Sequence, residues 1–171
     1  MKKAKQLADS LKNSYQLSAE PVTSGTKRVP EEAFVFISYT THGDTYADEM
    51  LRDLLKERGI ECWYAPDAIR SGEYAHQIVE AISRCSHFIC IISKNSMSSH
   101  HVLNELNLAF QHLNEGVSIL PFRLDDESVD DAFRYYLSTM QWNYGYPPPF
   151  ESKAREFIGK IFPESPFCAG R

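Results

Sequence analysis

The stretch "FVFISYTTHGDTYADEMLRDLLKERGIECWYA", Phe34 to Ala65, reads as one strand–helix–strand unit. "FVFISY" (Phe34 to Tyr39) is a short continuous apolar run, which suits a strand covered on both faces. "TTHGD" is a turn, and Asp44 stands where a helix N-cap belongs. Ala47, Met50, Leu51, Leu54 and Leu55 then recur at i, i+3, i+4, i+7 and i+8, the stripe of an amphipathic helix. Gly59 ends that helix. "IECWYA" is the second strand, stopped by Pro66.

The same alternation continues outward. "PDAIRSG" is a loop, and the helix after it places Ala75, Ile78, Val79 and Ile82 on one face. "HFICIIS" (His87 to Ser93) is the most hydrophobic strand and is expected at the centre. A helix follows, then the strand "VSILPF" and the acidic loop "RLDDESVDD", whose charge run reads as a solvated loop. "AFRYYLSTMQW" reads as helix or turn leading to a strand-like "QWNY", with Trp142 expected to pack the last helix. Pro147 to Pro149 break the chain, and "ESKAREFIGKIF" is a closing amphipathic helix. Such alternation predicts an α/β protein: a flavodoxin-like three-layer sandwich with a central parallel sheet flanked by helices.

In that architecture the strands end on one edge, where ligands bind. The loops after Ser38-Tyr39, after Tyr64-Ala65 and after Ser93 converge there. "SSHHVLNELNLAF" (Ser98 to Phe110) supplies the residue that stands out. With Val102 at zero and about 100° per residue, Val102, Leu106, Ala109, Phe110 and Leu113 fall within about 100° of arc. Glu105 lies about 60° to the other side, at the margin of the buried face. His101 precedes it by one turn. A carboxylate there is either a snorkelling surface residue or a site.

Composition bounds the rest. A chain of 171 residues with net charge −5 suits one domain plus an extension, and its acidic balance argues against nucleic acid or anionic membrane as partner. No apolar run approaches a membrane span, and the basic start lacks an apolar signal core, so a cytoplasmic setting is expected. Cys62, Cys85, Cys90 and Cys168 form no C-x-x-C pair, and the histidines lack ligand spacing, so neither a disulfide scaffold nor a metal site is expected. Cys62 and Cys90 read as small buried hydrophobes. No G-x-G-x-x-G, G-x-x-x-x-G-K-[ST] or G-x-S-x-G motif occurs in the chain. Ala4, Leu7, Ala8, Leu11 and Tyr15 make a short stripe, so residues 1–19 are read as an N-terminal amphipathic helix. A linker over 20–32, the main domain over 33–163 and a tail over 164–171 complete the division.

Taken in order, "FVFISY", "GIECWYAPDAIRSGEYAHQIVEAISRCSHFICIISKNSMSSHHVLNELNLAF" and "FRYYLSTMQW" resemble a Toll/interleukin-1 receptor (TIR) domain of the bacterial type. The resemblance runs from about Glu32 to Phe162. It implies one of two functions: cleavage of the nicotinamide–ribose bond of NAD+, or non-catalytic TIR–TIR scaffolding. The enzymatic kind carries W-x-x-x-E on the helix after the central strand. Glu105 matches the glutamate and is the implied catalytic residue, while His101 stands at the tryptophan position. The loop that commonly reads A-P-R-D-I-x-P-G is here Ala65-Pro66-Asp67-Ala68-Ile69-Arg70-Ser71-Gly72. By the resemblance, Asp67, Ala68, Ile69, Arg70, Ser71 and Gly72 form a self-association loop.

One carboxylate is enough for such chemistry. Glycosidases that expel an alcohol use two carboxyl groups, one of them to protonate the leaving oxygen. Nicotinamide leaves NAD+ as a neutral base from a pyridinium cation, so only the oxocarbenium-like charge needs support. Ser38, Tyr39 and Thr40 end the first strand at the ligand edge, where they either satisfy a local turn or meet the substrate. Arg70 and Lys94 are either solvated cations or pyrophosphate contacts. His101 is either an exposed polar residue or a substrate contact. Trp63 and Tyr64 read as core. The expected products are nicotinamide with ADP-ribose or a cyclic isomer, with NAD+ as substrate and no cofactor. The resemblance further implies homo-oligomers through TIR–TIR contacts and a downstream effector sensing the product. A deoxyribosyltransferase-like enzyme, also using one glutamate, is a third reading.

Overall fold

The computed structural model describes residues 33–63 and 72–163. The expected N-terminal helix, the linker and the tail lie outside them. Five strands form one sheet: β1 (Phe34–Ser38), β2 (Glu61–Trp63), β3 (His87–Ile92), β4 (Ser118–Arg123) and β5 (Asn143–Tyr144). Their order is β2-β1-β3-β4-β5, and every pairing is parallel. Between them run α1 (Thr45–Glu57), α2 (Gly72–Arg84), α3 (Lys94–Met97), α4 (His100–Gln111) and α5 (Asp131–Leu137), with α6 (Phe150–Ile161) last.

The sheet's two faces follow from the two-residue period of its strands. Val35, Ile37, Ile89, Ile91 and Phe122 face α1 and α6, meeting Leu51, Leu54, Leu55, Phe157 and Ile158. Phe36, Phe88, Cys90, Ile92 and Ile119 face the other way, toward Ile82 of α2, Leu106 of α4 and Phe133 of α5. Both faces are dry, which is why β1 and β3 read as unbroken apolar runs. The strand expected at the centre, β3, lies between β1 and β4.

Four expectations change. First, α2 buries Ala81 and Ile82, with Cys85 buried just past its end and Tyr74 and Ile78 half-buried, while Ala75 is exposed and Val79 is 47% exposed. The helix is rotated from the expected face because the small Ala81 and Cys85 allow close approach to Phe36 and Phe88. Second, Asp44 occupies the N-cap position of α1, but its carboxylate makes no cap. It accepts from the Ser93 hydroxyl instead, at 2.5 Å. Third, Trp142 packs with the α4–α5 cluster and lies 5.8 Å from the Arg123 guanidinium, away from the face that α6 covers. Fourth, the acidic loop is only partly solvated. Asp125 accepts from the Lys94 amide at 2.9 Å, and Asp130 caps α5 through the Ala132 amide at 2.8 Å.

Candidate functional site

Ser38 is the last residue of β1. Its neighbour Ile37 points toward α1, so the alternation turns Ser38 toward α4. There it is fully buried, and its hydroxyl donates to Glu105 Oε2 at 2.6 Å. Sixty-seven residues of sequence separate the two. Glu105 is carried by α4, whose start is capped by Ser99 accepting from the Val102 amide at 3.4 Å. Val102, Leu106 and Ala109 anchor that helix in the core, and Glu105 stands half-buried at its margin. Cys90 lies opposite Ser38 in the strand register, on the same side of the sheet.

Burial pushes the Glu105 carboxyl up to about 7, although the Ser38 hydrogen bond works in the opposite direction by favouring the anion. Part of its surface still meets solvent. The Cys90 thiol is raised further, by burial and then by the Glu105 charge, and stays protonated and inert.

Around this pair the other candidates divide. Thr40 is buried just beyond β1, its hydroxyl oxygen accepting from the His42 amide at 3.4 Å. Tyr39 turns to the opposite face, packs against the α1–α6 cluster and bonds to Asp48. His101 is exposed one helical turn before Glu105, and Lys94 is exposed at the start of α3. Arg70, with Asp67, Ala68, Ile69 and Ser71, lies outside the described residues; Gly72 is the first residue of α2. Trp63 stacks on Phe36 at 4.8 Å between ring centroids, and Tyr74 stacks on Trp63 at 6.1 Å. Trp63 is half-buried and packs against the core cluster, while Tyr64 lies outside the described residues.

Two further buried carboxylates surround the end of β1, and neither was singled out from the sequence as a site. Asp48 is fully buried on α1, ion-paired with Arg52 at 2.9 Å, with its carboxyl raised to about 6 by burial. Asp44 is also raised, chiefly by burial. The available signal was an aspartate at 48 inside an apolar stripe, four residues after Asp44.

A cleft of about 190 Å³ lies between α2 and the β1–β2 side, lined by Phe34, Trp63, Gln77, Glu80, Ala81 and Arg84. Neither Glu105 nor Ser38 lines it, and its charges are already engaged: Arg84 is 3.7 Å from Glu80 and 5.9 Å from the Phe34 ring. The chemistry points to the strand edge instead. Among the described residues, no cluster of three or more His, Cys, Asp or Glu could hold a metal ion, and no helix is long and apolar enough to cross a membrane.

The comparisons agree with this layout. No curated protein matches the chain significantly in sequence. Among solved structures, CMP N-glycosidase BcmB of Clostridium botulinum superposes with a TM-score of 0.55 at 18% identity, over 75% of this chain and 99% of that one. The TIR domains of the activated Roq1 resistosome, which recognises the pathogen effector XopQ, give 0.58 at 15% identity, over 77% and 100%. The TIR domain of the Toll-related receptor TRR-2 from Hydra magnipapillata gives 0.54 at 17%, over 75% and 90%. At these identities the likeness is one of fold. The TIR domain family model matches residues 35–152, most of the chain and every strand of the sheet, and the protein belongs to the TIR domain family.

Proposed function

We propose that this TIR domain cleaves the N-glycosidic bond between nicotinamide and ribose in NAD+, with Glu105 as the catalytic residue. The observation that carries the reading is the Ser38–Glu105 pair at the ligand edge of the sheet. Ser38 holds one carboxylate oxygen, leaving the other to meet the ribose. As the bond from C1′ to the pyridinium nitrogen breaks, the electron pair leaves with neutral nicotinamide. Positive charge develops on the ribose, and the ionised carboxylate stabilises it from a site partly shielded from water. Water then adds to C1′ and releases its proton to the carboxylate or to solvent, giving ADP-ribose. If a group of the same molecule attacks in place of water, a cyclic isomer forms.

Two neighbours lend support. One is described as an N-glycosidase, acting on CMP; another is a TIR assembly. The setting that fits is a cytoplasmic bacterial defence or signalling response, in which self-association completes the pocket and an effector senses the product. CMP is the natural comparison substrate, because a carboxyl near 7 keeps a protonated fraction able to assist a neutral leaving base. The rival reading is a non-catalytic scaffold.

The test is nicotinamide release from NAD+ at high protein concentration, beside cytosine release from CMP. Glu105→Gln should remove activity, a loss of at least a hundredfold, while the protein still folds. The NAD+ rate of the wild type, as kcat/KM, should rise about tenfold per pH unit below about 7 and level off above it, because the anion is the working form. Turnover by Glu105→Gln at the wild-type rate would remove Glu105 from the mechanism. No release of either base would favour the scaffold.

A further inference from the structure

We propose that Asp44, with Ser93 and Asn95, is a positioning clamp that sets the loop 40–43 as one wall of the substrate site. This rests on the proposed N-glycosidase reading and deepens it. Asp44 stands at the N-cap position of α1, yet its side chain ignores its own helix. It is 2% exposed and accepts from Ser93 Oγ at 2.5 Å, with a second hydrogen bond from the Asn95 side chain. Ser93 is itself committed. Its oxygen takes the amides of Asn95 and Ser96 at 3.1 and 3.0 Å, so it starts α3 while donating to Asp44. Asn95 also packs on Gly43, where an added Cβ would lie 2.5 Å from Nδ2. Gly43 has φ +92°, a conformation that glycine adopts without steric cost.

The clamp sits where the site needs it. The loop 40–43 leaves β1 directly after the Ser38–Tyr39 step, at the edge where Glu105 faces Ser38. Among its described hydrogen bonds, those of Gly43 to Thr41, His42 to Thr40 and Thr45 to Thr41 all stay within the turn. Asp44 ties that turn to the next edge loop, and Lys94 continues the chain of bonds to Asp125 after β4. The reacting pair does not depend on the clamp. Ser38 is held by the sheet and Glu105 by the core side of α4. Loss of the clamp should therefore weaken substrate binding far more than it slows the chemical step.

The experiment uses the full chain with NAD+ and two variants, Asp44→Asn and Asn95→Ala. Asp44→Asn keeps the shape but removes the charge and replaces one accepting oxygen with an NH2 donor. Asn95→Ala changes an exposed residue and removes one of them. Each should raise KM for NAD+ at least tenfold with kcat within threefold of wild type, and speed amide exchange at 40–43 while leaving the β3 amides protected. An unchanged KM in both variants would overturn the positioning role. Wild-type protein that cleaves no NAD+ would sink the proposed function but not this test, because the exchange measurement needs no turnover. Unaltered exchange at 40–43 in both variants would then overturn the clamp.

Discussion

Glu105 costs the fold stability when it is ionised. Its carboxyl moves from an ordinary 4.5 to about 7 in the fold, because burial penalises the anion more than Ser38 supports it. A raised carboxyl contributes its stability below about 4.5, and that contribution is lost as pH rises through about 7. At pH 8 the ionised group costs at most about 3 kcal/mol on this shift, and partial exposure brings the figure nearer to about 1–2 kcal/mol. Glutamine carries no charge and can still accept from Ser38. Glu105→Gln should therefore be as stable as wild type at pH 4 and should melt a few degrees higher at pH 8. Thermal melts at the two pH values check this, and a variant melting lower at pH 8 would show that the carboxylate is not strained. Asp48 follows the same sign over a lower window, between about 4 and about 6, with Arg52 offsetting part of the burial.

At the scale of the element, α2 shows how packing overrides a stripe. Ala75 and Val79 are apolar and properly spaced, yet they face outward, while Ile82 is fully buried. Ile82→Ala should cost about 2–4 kcal/mol through the cavity it leaves, whereas Val79→Ala should cost under about 0.5 kcal/mol. Urea unfolding of the two variants separates these outcomes, and similar costs would mean that the helix sits in the other rotation. The short α3 is set by its polar ends. Ser93 and Ser96 form a capping box, the Ser93 amide donating to Ser96 Oγ at 2.8 Å.

For the whole molecule, the proposed activity turns on how the site is enclosed. Among the described residues the edge strands β2 and β5 have three and two residues, too short to recruit another chain by strand addition. The proposed self-association therefore calls on surfaces other than strand addition. An open sheet edge encloses a dinucleotide poorly, so a second copy is expected to close it. NAD+ cleavage per protein molecule should then rise with protein concentration until assembly saturates. A rate strictly proportional to concentration, followed by light scattering across monomer and oligomer, would show that one chain suffices.

The sequence alone determined the layers and the parallel sheet, and with them the strand edge where the candidate site is placed. These follow from periodicities of two and 3.6 residues, which are local properties of the chain. The position of Glu105 was legible for the same reason, as a carboxylate at the rim of an apolar stripe. What only the tertiary structure decided are the contacts between residues far apart in sequence. The Ser38 hydroxyl met Glu105 across 67 positions, and Ser93 took Asp44 from its expected cap across 49. Trp142 went to the α4–α5 cluster, and α2 turned Val79 outward. No local pattern encodes these choices, because each depends on which buried polar groups find partners and which apolar surfaces fit once the layers close.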